Sequence, residues 1–157
     1  MFYIGVDLGQ RQDHTALGII ERPERVLENR YRLHNAQPPL PLELLVRRAE
    51  RYPLGIPYPR IVEKIYELTN STPFAGQCAL IVDATGVGAP VIDMLRSSGL
   101  RCELTAVTIT GGERQSGTSS RPSVPKKDLL ASLQLSLEKN EMRISRRIPS
   151  VRTLIHE

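Results

Sequence analysis

The sequence has no tryptophan, and its two phenylalanines and five tyrosines are thinly spread over 157 residues. It therefore lacks the interleaved aromatic and basic surface of a single-strand nucleic-acid binder. Its two cysteines, Cys78 and Cys102, are too few and too far apart for a thiolate metal site. Each stands just before an apolar run, so two free buried thiols are expected rather than a disulfide. The three histidines, His14, His34 and His156, are scattered and are expected at the surface rather than as a ligand set. No apolar run approaches the ~20 residues needed to cross a bilayer, and no basic stretch leads into a signal-like apolar segment at the N-terminus. A cytoplasmic protein is expected. The phosphate-loop pattern GxxxxGK[ST] is also missing, which excludes a P-loop ATPase.

What is present fits one α/β domain, long enough to bury a core without a disulfide or structural metal. Net charge is +4, from 21 basic and 17 acidic residues. From Gly111 onward there are nine Lys or Arg against five Asp or Glu, which is the whole excess. A basic C-terminal third fits a polyanionic partner, or equally a solvated helical face.

The opening run "FYIGVDL" alternates, with Phe2, Ile4, Val6 and Leu8 on one side and Tyr3, Gly5 and Asp7 on the other, the period of a strand. A polar turn leads to "TALGIIER", and the two runs are expected to form a hairpin. "VLENRYRLHN" (26–35) reads as a third strand. "RIVEKIYELTNS" repeats Ile61, Ile65 and Leu68 at helical spacing behind Pro59. "CALIVD" is short and continuously apolar, as in a central strand buried on both faces. "PVIDMLRSSG" reads as a helix stopped by Gly99, and "ELTAVTIT" as another strand. The segment "GGERQSGTSSRPS" has almost no apolar content and reads as a long mobile loop. "VPKKDLLASLQLSLEKN" predicts a helix capped by Ser123, with Leu129, Leu130, Leu133 and Leu137 on one face. "MRIS" is a short extended piece, and "PSVRTLIHE" begins a final helix. An antiparallel set followed by parallel crossovers predicts a mixed sheet with helices on its faces.

Asp7 and Asp83 end the two most apolar strands. If those strands are neighbours, ~4.8 Å apart, their carboxylates can share hard cations such as Mg²⁺ or Mn²⁺ in two-metal phosphodiester chemistry. Gly9 follows the first acid and Gly86 and Gly88 the second, where backbone or phosphate can approach closely. Asp at a strand end is also a common turn former, so the pattern alone leaves both readings open.

Three ordered blocks, "YIGVDLGQRQDHTALGII", "LIVDATGVGAPVIDMLR" and "VPKKDLLASLQLSLEKNEMRI", resemble the C-terminal nuclease domain of the large subunit of phage DNA-packaging terminases. The resemblance spans nearly the whole chain. It implies a ribonuclease H-like fold over residues 1–157, ending before the last family helix. It also implies a metal-dependent endonuclease that cuts double-stranded DNA during packaging, with the terminase ATPase and small-subunit or portal proteins as partners. Asp7 and Asp83 match the first two acidic ligands. Asp13 and Thr15 match a D-x-T element that shapes the hairpin, and Lys126 a basic position near the site, with Lys127, Arg121 and Arg114 as further DNA contacts. The family's third acid has no match: Asp93, Asp128 and Glu157 are the remaining candidates, and none fits the motif. Holliday-junction resolvases share the fold and are the nearest alternative enzyme. A non-catalytic DNA-binding module is the alternative outside catalysis.

Overall fold

The computed structural model describes residues 1–9, 13–23, 43–86 and 89–149. The expected strand at 26–35, the residues from 150 onward, Gly88, His34, His156 and Glu157 lie outside them.

The elements follow in the order β1 (Phe2–Asp7), β2 (Ala16–Glu21), β3 (Leu44–Arg51), α1 (Tyr58–Asn70), β4 (Cys78–Asp83), α2 (Ala89–Ser97), β5 (Glu103–Thr110), β6 (Ser116–Thr118), β7 (Arg121–Pro125), α3 (Lys126–Glu138) and β8 (Met142–Ile144). The strands form one mixed sheet in the order β6-β7-β5-β4-β1-β2-β3-β8. β1 and β2 are the expected antiparallel hairpin, and β4 returns parallel to β1 at the centre. This is the mixed α/β sheet that the sequence predicts.

One face of the sheet makes the core. Ile4 lies opposite Leu80 and Val6 opposite Val82, all buried, and the Ile61, Val62 and Ile65 side of α1 and the Val91, Ile92 and Leu95 side of α2 close over them. Both helices cover the same face. α1 starts behind Pro57 with Pro59 in its first turn, where a missing N–H costs nothing. α2 is followed by Gly99 at φ +80°, a left-handed stop that glycine adopts without strain.

Four expectations are corrected. β4 is not buried on both sides: Cys78, Leu80 and Val82 are buried, whereas Ala79, Ile81 and Asp83 are partly exposed, because neither α1 nor α2 packs on that face. The polar segment after β5 is not a loop throughout. It folds into the β6–β7 hairpin, whose β7 pairs parallel with β5, so backbone pairing supplies what apolar side chains do not. Ser123 belongs to β7 and does not cap α3, whose N-cap is Pro125 with no side-chain hydrogen bond. α3 forms as expected, but buries no residue.

β3 was not foreseen as a strand. Arg48 pairs with Ile19 and Val46 with Ile20, leaving Arg47 as an extra residue in a bulge that breaks the alternation. Its far edge carries β8 in parallel. Both cysteines are free, Cys78 buried and Cys102 half-buried. Burial, then the neighbouring Cys102, pushes the Cys78 thiol up to about 12, so it is not a reactive thiolate at neutral pH.

Candidate functional site

The parallel register of β1 and β4 sets Asp7 directly opposite Asp83. Directly opposed residues share a face, so the two carboxyl groups stand side by side, on the face away from α1 and α2. Loss of water, then the charge of Asp83, then that of Asp13 push the Asp7 carboxyl above its ordinary value. Burial first and the neighbouring like charges second disfavour the ionised form, and a bound cation would offset both.

The turns behind both acids are pinned. After β4, the Thr85 N–H donates to Oδ1 of Asp83 at 2.8 Å, and Oγ1 of Thr85 accepts the Ile109 N–H at 2.8 Å. The Ala84 N–H donates to the Val107 carbonyl, so the turn is tied to β5 at two points. Gly86 follows at φ +80°.

After β1, the Gly9 N–H donates to Oγ1 of the buried Thr15 at 3.1 Å, and the Tyr58 hydroxyl donates to the Gly9 carbonyl at 3.2 Å. Gly9 is required by crowding, since a Cβ there would run into the backbone carbonyl of Asp13. Thr15 thus bridges the two strands behind Asp7 through its hydroxyl. Tyr58 and Thr85 support the acids too, and the sequence did not point to them, because the Tyr58 hydroxyl bond and the bond between Thr85 and β5 depend on how α1 and β5 pack.

The candidate bases are less uniform than expected. Lys126 stands exposed at the head of α3, where β7 ends, on the same strand-end edge of the sheet as Asp7 and Asp83. Lys127 pairs with Glu113 at 3.2 Å and Arg121 lies 3.9 Å from Asp93, so part of their charge is met within the protein. Arg114 is exposed beyond β5. Asp93 also meets Arg96, and Asp128 lies in the first turn of α3. Neither joins the acid pair. Among the described residues no group of three or more His, Cys, Asp or Glu is placed to hold a metal ion. Two carboxylates supply hard oxygen donors that suit Mg²⁺ or Mn²⁺ and leave further positions to water or phosphate.

No protein-family model and no curated protein matches this sequence. Among solved structures, the nuclease domain of the human cytomegalovirus terminase is similar in fold, with a TM-score of 0.51 at 12% identity. The likeness covers 94% of this chain and 63% of that domain, so this chain spans less than two thirds of its neighbour. The chain has a terminase-nuclease-like fold.

Proposed function

We propose that this chain is a divalent-metal-dependent endonuclease domain acting on double-stranded DNA, of the kind that cuts phage or prophage DNA during packaging. The observation that carries the reading is the direct register of Asp7 and Asp83 at the ends of adjacent parallel strands. The likeness in fold to a viral terminase nuclease domain supports it. In this reading Asp7 and Asp83 hold Mg²⁺ or Mn²⁺, which would supply Lewis-acid activation of water and stabilise the leaving 3′ oxygen. The protein's own part is positioning. Thr85 fixes one oxygen of Asp83, Thr15 and Tyr58 fix the turn behind Asp7, and Lys126 offers a cation to the DNA backbone. The terminase ATPase and small-subunit or portal proteins are the partners this reading implies.

The first test is Mn²⁺ binding by calorimetry on this chain and on Asp7→Asn, paired with nicking of supercoiled plasmid. Binding and nicking that both vanish in the variant are expected; no Mn²⁺ binding by either protein defeats the reading. One observation favours a second reading, a DNA-binding module without catalysis: the pair has no third ligand among the described residues. Mutation-sensitive Mn²⁺ binding without nicking would select it.

A further inference from the structure

The end of β4 away from Asp83 brings two sulfur atoms together. Ala79 is opposite Glu103 and Leu80 opposite Leu104 in the parallel pairing of β4 with β5. One residue back along both chains, Cys78 faces Cys102, which immediately precedes β5. Opposed residues on neighbouring strands share a face and lie ~4.8 Å apart, inside the Cα separation of about 4.4–6.8 Å that a disulfide spans. The face is the one that α1 and α2 close: Cys78 is 4% exposed in the core, and the half-buried Cys102 packs against the same cluster. The two thiols are hydrogen-bond neighbours, and the hydroxyl of Thr69, buried on α1, also reaches the Cys102 sulfur.

The two sulfurs are not equivalent. Burial pushes both thiols up, and at Cys78 the charge of Cys102 and the bond to it push the same way. At Cys102 the bonds to Cys78, Thr69 and the Leu80 backbone oppose burial and favour the thiolate. Cys102 is also the more open of the two. An oxidant therefore meets Cys102 first, with Cys78 behind it as a second thiol that solvent barely reaches. Opposed Cβ atoms on parallel strands stand about as far apart as the strands, slightly beyond the ~3.5–4.5 Å of a relaxed disulfide. A bond made here is given up readily to a reductant, so the pair stays free in a reducing cell and closes under oxidation.

We propose that Cys78 and Cys102 form a reversible oxidation site, which a small hydroperoxide converts to a disulfide that staples β4 to β5. The Cys102 sulfur attacks one peroxide oxygen, the O–O bond breaks, and the other oxygen leaves as water with the thiol's proton, so that Cys102 becomes a sulfenic acid. The Cys78 sulfur then attacks that sulfur, the S–O bond breaks, and the hydroxyl leaves as water with the Cys78 proton. Sulfur is oxidised and the peroxide reduced: two thiols and one hydrogen peroxide become one disulfide and two waters. The ring so closed, residues 78–102, holds β4, Asp83 and α2. A ring of that size removes enough freedom from the unfolded chain to raise the melting temperature by ~5 °C or more. Asp83 stands at the other end of β4, so the oxidation site does not depend on the nuclease reading.

The experiment is non-reducing peptide mapping of the folded chain after dilute hydrogen peroxide, with thermal melts of the reduced and oxidised forms. The fragments carrying Cys78 and Cys102 are expected to be joined, about 2 Da lighter than their sum for the two hydrogens lost, and dithiothreitol is expected to restore both thiols. Cys78→Ser is expected to stop at the first step, with a Cys102 sulfenic acid that dimedone labels, whereas Cys78 in Cys102→Ser stays unlabelled. Two free thiols after treatment, links between separate chains, or dimedone on Cys78 rather than Cys102 would overturn the site. A joined chain that melts no higher than the reduced one would overturn the staple.

Discussion

α1 and α3 are both thirteen residues long, both follow a proline N-cap, and both carry repeating apolar side chains, yet α1 buries Ile61, Val62, Ile65 and Thr69 while α3 buries nothing. Leu129, Leu130, Leu133, Leu135 and Leu137 are all 41–55% exposed. Intrinsic propensity does not separate them, since leucine is among the best helix formers. What separates them is the surface beneath. α1 returns over a sheet face of Ile4, Val6, Leu17, Ile19, Leu80 and Val82, whereas α3 leaves from β7, near the edge of the sheet, beside a hairpin of Ser, Gly, Thr, Arg, Pro and a single valine, Val124. Leu135 also falls away from the stripe of the other four. An apolar stripe in sequence therefore predicts a helix better than it predicts a contact.

Breaking α1's contact has the largest expected effect. Ile65 is fully buried, and Ile65→Ala removes its packing and leaves a cavity, an expected loss of about 2–5 kcal/mol in urea unfolding. The same experiment on Leu133→Ala is expected to change stability by no more than about 0.5 kcal/mol, because the side chain is already half in water. A loss near that of Ile65→Ala would mean that α3 is covered in solution, and the contrast would collapse.

Two glycines sharpen the contrast at the level of single atoms. Gly9→Ala must displace the Asp13 carbonyl and with it the turn that Thr15 holds, an expected cost of about 1–3 kcal/mol. At Gly5, on the face away from α1 and α2, a Cβ meets nothing within 4 Å, so Gly5→Ala is expected to be neutral or slightly stabilising.

The sequence made the covered half of the molecule legible. Strict alternation in β1 and the apolar run of β4 announce strands, and acids that end such runs announce a site. The direct opposition of Asp7 and Asp83 could be anticipated only as a possibility, because register depends on pairing partners that no single strand encodes. β3 escaped notice for a local reason: the bulged Arg47 and three further charges hide its period. The β6–β7 hairpin escaped because edge strands held by backbone bonds need no apolar pattern.

The smallest expected effect concerns the acid pair and pH. Partial loss of water and the charges of Asp83 and Asp13 raise the Asp7 carboxyl above 3.8 in the folded, metal-free chain. Its proton is therefore held more tightly in the folded state than in the unfolded one. Below 3.8 both states are protonated and the favourable difference is fully present; as pH rises through the raised folded value, that stability is lost. At pH 7 the ionised Asp7 thus weakens the fold, and Asp7→Asn is expected to make the metal-free protein slightly more stable. The gain is expected to fade as pH falls toward 3.8, and to shrink or reverse once Mn²⁺ is added, because the cation neutralises the pair only when both acids are present. Thermal melts of both proteins at pH 3.5 and 7, with and without Mn²⁺, measure all of this. A variant less stable than the wild type at pH 7 without metal would mean that Asp7 stabilises the turn it begins. Its carboxylate would then be a structural group rather than a site kept ready for a cation at some cost to the fold.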